Sequence, residues 1–220
     1  MFARIGVAGC SAVTALTAQN PERILRIEPS PPAQLAAELE AILSYDALAA
    51  VKTGMLVGRD HIHTVADALS RYPEPCPLVV DPVMVATSGT RLLDDAGIEA
   101  LAAELFPLAS LITPNQPEGE RLLGADIDDP VEAAAELVRR FRCPVLLKGG
   151  HGEGQVLLDV LCMANGEIHL FEHPRLRWDR DQAHGSGCRL AAAITAYLGL
   201  GASMAEAVSR GIAQLQGASA

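Results

Sequence analysis

Short β-favouring runs alternate with longer helical runs along most of this chain, and that alternation limits its fold more than any other feature. The strand-like runs are Ser11–Ala18, Leu48–Lys52, Leu78–Val80, Ser110–Ile112 and Val145–Leu147. Between them lie the helical runs Pro32–Ser44, Ile62–Arg71, Ile98–Phe106 and Val131–Phe141. Two helices carry explicit start signals. Asp129-Pro130-Val131-Glu132 sets a cap, a first-turn proline and a capping-box glutamate in order, and Ser203-Met204-Ala205-Glu206 repeats the box. Parallel strands need long, usually helical, crossovers, so the pattern predicts an α/β fold: a mainly parallel sheet with helices on both faces. One stretch breaks the rule. Val156–Met163 and Glu167–Glu172 flank Ala164-Asn165-Gly166, a hairpin turn signal, which predicts an antiparallel pair beside the parallel strands. No repeat, low-complexity tract or linker interrupts the 220 residues, which predicts a single domain.

Composition narrows the function. The formal net charge of −10 and an aromatic content of 4% argue against a nucleic-acid partner, which rewards Lys, Arg and stacking rings. An acidic total still allows one phosphorylated small ligand held locally by backbone amides. The five cysteines (Cys10, Cys76, Cys143, Cys162 and Cys188) form no C-x-x-C pair, which suits a reducing, cytoplasmic setting better than a disulfide frame or a zinc site. No apolar run reaches the roughly 18 residues needed to span a bilayer. The opening "VAGC" imitates a lipoprotein cleavage site, but Ile5 to Ala8 are too few to form a signal's apolar region.

In open α/β sheets the ligand lies beyond the carboxyl ends of the strands, so chemistry should concentrate just after each one. The stretches found there are "TAQN", "KTGM", "DPVM", "TPNQPE" and "KGGH", followed later by "HGSGC". In "HGSGC", Gly185 and Gly187 let consecutive amides turn into one concavity around Ser186, and the following helix adds its positive end. Such a turn can cradle a transferred phosphoryl group, or simply start a helix. The same positive end can lower the pKa of the Cys188 thiol from about 8.5. Asn115 and Glu118 stand three residues apart at a predicted helix start, and hard cations choose oxygen ligands. The pair reads equally as a turn residue and a first-turn charge. Asp81 ends an apolar strand, and Lys148 ends another before two glycines. Each is either a cleft residue or ordinary loop punctuation. His151 and His184 share no ligand spacing and read as loop histidines.

Taken in order, these six motifs resemble the hydroxymethylpyrimidine and phosphomethylpyrimidine kinases of thiamine biosynthesis, a branch of the ribokinase-like superfamily. The resemblance covers nearly the whole chain and implies a ribokinase-like three-layer sandwich. It implies ATP and Mg2+ as cosubstrate and cofactor, and an aminopyrimidine alcohol as substrate. By that resemblance the amides of Gly185, Ser186, Gly187 and Cys188 form an anion hole, and Cys188 is the base toward the substrate hydroxyl. Asn115 and Glu118 organise magnesium, with Asp81 near the phosphate or its metal. Lys148 serves ATP, and Gln19, Met55 and Val83 receive the pyrimidine. Gln19 offers both a donor and an acceptor to an aminopyrimidine edge, and Met55 offers an adaptable apolar contact. A homodimer is the family's usual assembly.

The match departs from the family in three places. It begins inside the family's first helix, so an opening strand, a "GSDPSGGAG"-type loop and a substrate-binding aspartate have no counterpart. This implies either an upstream start or a shortened, impaired chain. The glycine-rich tail is missing, and Arg189 replaces a small hydroxyl residue. Two alternatives stay open: a pyridoxine or pyridoxal kinase of the same branch, and a ligand-binding remnant without turnover. A sugar kinase is disfavoured, because Cys188 stands where those enzymes carry aspartate.

Overall fold

The central strands are apolar at nearly every position, so both faces of their sheet must be covered. The computed structural model describes all residues except 46, 75, 87, 151–154, 177–184 and 218–220. Its six-stranded sheet runs in chain order: β3 (Val51–Thr53), β4 (Leu78–Val80), β5 (Leu111–Ile112), β6 (Val145–Leu147), β7 (Val156–Cys162) and β8 (Ile168–Pro174). β3 to β6 are parallel. β7 then pairs antiparallel with β6, and β8 with β7. The hairpin read from Ala164-Asn165-Gly166 is therefore the continuation of the main sheet.

Side-chain alternation divides the strands between two apolar layers. Val80, Ile112, Leu147 and Val160 face a layer built from α2 (Pro32–Leu43), α3 (Arg59–Ser70), α4 (Asp95–Ala100), α5 (Gln116–Leu123) and α6 (Pro130–Phe141). Val79, Leu111, Leu146 and Leu161 face α7 (Ser186–Gly199) and α8 (Met204–Gly217). This is the three-layer sandwich that the alternation predicts. A four-residue helix, α1 (Phe2–Ile5), precedes these elements and packs near α7.

Several helix boundaries follow their chemistry. Asp129 caps α6 by accepting from the amides of Val131 (2.7 Å) and Glu132 (3.4 Å), and the amide of Glu206 approaches the Ser203 hydroxyl at 3.4 Å. The run read as Ile98–Phe106 starts earlier, because Asp94 caps it through the amide of Gly97 at 2.8 Å. It then widens into a π-helical turn over Leu101–Leu105 and a 3-10 turn over Phe106–Leu108.

The first strand departs from expectation. The run Ser11–Ala18 does not enter the main sheet. Its ordered part, β1 (Ala15–Gln19), pairs antiparallel with β2 (Ile24–Pro29) in a separate two-stranded flap. Neither strand is apolar on both faces, which is what a place in the central sheet would require. The flap is tied down by Thr14, whose hydroxyl donates to the Met55 carbonyl at 2.7 Å, and by the Val13 amide, which donates to Glu38 at 2.7 Å.

Phe106 is fully buried and meets Phe141 edge-to-face, with ring centroids 5.0 Å apart. Phe106→Ala should destabilise the fold by about 3–5 kcal/mol, the usual cost of removing a buried aromatic ring. Urea unfolding measures this; a loss under about 1 kcal/mol would mean that the layer repacks.

Candidate active site

A cavity of about 900 Å³ opens at the carboxyl ends of the parallel strands, a volume suited to a small-molecule site. Gln19, Met55, Asp81, Val83, Asn115, Glu118, Lys148, Gly185, Ser186, Gly187 and Cys188 all line it. The structure thus brings together every site residue read from the sequence. Gln19 reaches it differently from expectation, as the last residue of β1 in the flap. His151 and His184 lie outside the described residues.

A buried ion pair sits at the centre. Asp81, just past β4, receives Lys148 Nζ from the end of β6 at 3.0 Å and the Thr113 hydroxyl from the end of β5 at 3.2 Å. Both charged side chains are almost inaccessible, at 3% and 11% exposed. Burial pushes the Asp81 carboxyl up, but Lys148, Lys52 and hydrogen bonds from Lys148 and Cys188 outweigh it and hold it below the usual carboxylate range. Burial likewise pulls Lys148 down, and Asp81 and Glu118 outweigh that to raise it. Both groups therefore stay charged at neutral pH.

Asn115 and Glu118 form a reciprocal capping box. The Asn115 side chain accepts from the Glu118 amide, and Glu118 Oε2 accepts from the Asn115 amide, each at 2.9 Å. Glu118 Oε1 also accepts from the Met84 amide at 3.0 Å, so one carboxylate joins the start of α5 to the turn after β4. That turn is strained. Val83 has φ 43°, a region that a β-branched side chain rarely enters and that costs about 1–3 kcal/mol. Burial foremost, with the neighbouring Asp81 charge, raises the Glu118 pKa.

Helix α7 begins at the cavity. Gly185 precedes it at φ 70°, and the amide of Arg189 makes the first turn's bond to the Gly185 carbonyl at 2.9 Å. The amides of residues 186–188 have no acceptor inside the helix, as at any helix start. Gly187 leaves room for the lysine: a Cβ there would stand 3.2 Å from Lys148 Nζ. The Lys148 ammonium and the positive end of α7 therefore converge on one place.

Cys188 is half-buried on the first turn of α7 and faces this cavity, not the packed hydrocarbon of the sheet. Its thiol differs from the sequence expectation in one respect. Burial raises its pKa, Asp81 raises it further, and Lys52 and Lys148 offset only part of the rise. The group is therefore a neutral thiol beside Asp81 at neutral pH.

Four contributors escaped the sequence reading. Lys52 and Thr113 act on Asp81, while Asp159 and His173 line the cavity from β7 and β8. Lys52 follows the apolar run Leu48–Val51 and Asp159 places a charge inside an otherwise apolar strand ("VLLDVLC"), and that was the signal available. Among the described residues no group of three or more His, Cys, Asp or Glu could hold a metal ion by itself.

A three-layer sandwich whose strand ends gather the open amides of a helix start, a buried lysine and carboxylates is an arrangement suited to holding a phosphorylated small molecule. Comparison with known proteins gives the particular branch: residues 1–220 match the family described as phosphomethylpyrimidine kinase, and the chain belongs to that family. It is 39% identical over 221 residues to a hydroxymethylpyrimidine/phosphomethylpyrimidine kinase of Rhizobium meliloti, covering 99% of this chain and 81% of the relative. It is 43% identical over 209 residues to the thiamine biosynthesis bifunctional protein ThiED of Geobacter sulfurreducens, covering 94% of this chain but only 42% of that longer protein. Among solved structures, the phosphomethylpyrimidine kinase of Clostridium difficile 630 superposes with a TM-score of 0.84 at 34% identity, covering 99% of this chain and 89% of that one. A pyridoxal kinase of Staphylococcus aureus in complex with AMP-PCP and pyridoxal superposes at 0.85 with 26% identity, covering 98% and 78%.

A raised thiol pKa has a measurable sign. The thiolate fraction of Cys188 grows only at alkaline pH, so its alkylation by iodoacetamide, followed by peptide mass spectrometry, should reach half-maximal rate above the ordinary value of about 8.5. Asp81→Asn removes the neighbouring negative charge and should move that midpoint down. A midpoint below about 7.5 in the unsubstituted protein would contradict the geometry.

Proposed function

We propose that this chain transfers the γ-phosphoryl group of ATP to the hydroxymethyl oxygen of 4-amino-5-hydroxymethyl-2-methylpyrimidine, and then to its monophosphate, in thiamine biosynthesis. The observation that carries the reading is the meeting of three features in one cavity: the Cys188 thiol, the open amides of α7 and the Lys148 ammonium. Family membership supplies the substrate class.

In this reading the pyrimidine sits among Gln19, Met55 and Val83, with its hydroxymethyl group toward Cys188. A new bond forms between the alcohol oxygen and the γ-phosphorus as the bridging bond to ADP breaks. The alcohol proton passes to the Cys188 sulfur in its thiolate form. The amides of residues 185–188 and Lys148 stabilise the negative charge spread over the transferring group. Because the ligand-free thiol is neutral at neutral pH, turnover by this route rises with pH until Cys188 ionises. Asp81 holds the ammonium in place within the cavity.

The donor set also suits magnesium. The ion keeps several waters and uses one or two carboxylates together with substrate phosphates. The Asp81 oxygen that bonds neither Lys148 nor Thr113, and water held by Asn115 and Glu118, would supply its protein side; its role would be to neutralise nucleotide phosphate charge. The enzyme would work on free small molecules in the cytoplasm as a homodimer. Leu16 and Leu25 of the flap, 69% and 67% exposed, are apolar residues that such a dimer could cover.

Parallel assays with ATP and either the aminopyrimidine alcohol or pyridoxal test the proposal. The pyrimidine should be phosphorylated with the higher kcat/KM, and Cys188→Ala should lower kcat about 10²- to 10⁴-fold, the range for a positioned base. Phosphorylation of pyridoxal alone would overturn the substrate. Pyrimidine binding by calorimetry without any turnover would make the chain a binding protein.

A further inference from the structure

Asp159 lies in the middle of β7, its side chain 5% exposed, in a strand whose other residues are apolar. A carboxylate there needs strong partners. Its Oδ1 accepts the Gly149 amide at 2.8 Å, and its Oδ2 meets His173 Nε2 from β8 at 3.2 Å. The ring is held from its other side, where His173 Nδ1 lies 3.1 Å from Gln216 Nε2, itself 3.2 Å from the Pro174 carbonyl. The amide of Gln216 must donate to both, so Nδ1 accepts and Nε2 carries the hydrogen that it gives to Asp159.

The position of Gly149 gives this chain of bonds a purpose. In the β6–β7 ladder Leu147, the last residue of β6, stands opposite Val160, so continued pairing would bring Lys148 and Gly149 opposite Asp159 and Leu158. Regular pairing ends there, and the Gly149 amide turns to a side-chain carboxylate in place of a strand carbonyl. The backbone lies so close to β7 that a Cβ on Gly149 would fall 2.1 Å from the Leu158 carbonyl oxygen. The residue just before this bond is Lys148, whose own amide donates to the Pro114 carbonyl at 2.9 Å and whose ammonium reaches Asp81. Pro114 anchors one side of the Lys148 backbone, and Asp159 anchors the other.

We infer that Asp159, oriented by His173 and Gln216, is a positioning residue that fixes the Lys148–Gly149 backbone and so aims the Lys148 ammonium at the nucleotide phosphates. This rests on the reading of Lys148 as the cation that serves ATP. Asp159 touches no reacting atom. It acts by removing the freedom of the main chain from which the lysine projects, and small misplacements of a charged group are costly in a phosphoryl-transfer site.

The test compares Asp159→Asn, Lys148→Ala and the double variant by steady-state kinetics with ATP and the pyrimidine alcohol. Asp159→Asn keeps the shape but weakens the acceptor. It should raise KM for ATP on the order of 10-fold while leaving KM for the pyrimidine within about 2-fold. The double variant should be no worse for ATP than Lys148→Ala alone, because the two act through one group. Should Asp159→Asn fail to fold, His173→Ala leaves the carboxylate in place and should raise KM for ATP in the same selective way, by less. Equal changes in both KM values, or fully additive losses in the double variant, overturn the inference. An unchanged KM for ATP in Lys148→Ala defeats the underlying reading instead, and is seen in that variant alone.

Discussion

The Lys148–Asp81 pair holds this site together, because it is made by the ends of two strands that are not neighbours. Asp81 follows β4 and Lys148 follows β6, while Thr113, at the end of the intervening β5, donates to the same carboxylate oxygen. The three consecutive strand ends are thereby tied across the sheet. Removing one partner of such a buried pair usually costs about 3–5 kcal/mol, since the other is left charged and dry. The pair gains further purpose from its location. It stands beside the start of α7, where the Lys148 ammonium and the positive end of the helix would otherwise repel each other.

Around that pair, the same groups serve stability and chemistry. Glu118 caps α5, clamps the amide of Met84 behind the strained Val83, and still keeps lone pairs that could hold water around a cation. The two readings of Asn115 and Glu118 offered by the sequence, helix cap and metal organiser, are therefore compatible. The thiol shows the opposite tension. The positive end of a helix favours a thiolate, but burial and Asp81 outweigh it at Cys188.

The layered α/β plan was legible because it depends on local pattern. Short apolar strands, capped helices such as the one begun by Asp129, and one glycine turn each betray themselves within about ten residues. That Asp81, Asn115, Glu118 and Lys148 line one cavity was legible for the same reason, since they sit just beyond strands whose positions the pattern marks, whereas the roles assigned to them came from the family resemblance. What escaped was set by tertiary context. The run Ser11–Ala18 reads as a strand from its composition, but its pairing in a flap shows locally only in the polar positions that keep β1 from being apolar on both faces. The Cys188 pKa escaped as well, because the carboxylate that raises it is distant in sequence.

Asp159 illustrates how such residues can be recovered. A charged residue in a buried strand opposes the hydrophobic pattern, so the fold must satisfy it with specific partners or lose stability. Here the partners are a backbone amide next to the active-site lysine and a histidine held in one tautomer. A hydrophobic residue at that position could not hold the Gly149 amide where the ladder ends. The charge stands where strand pairing alone no longer fixes the chain, and the amide it holds lies one residue from Lys148.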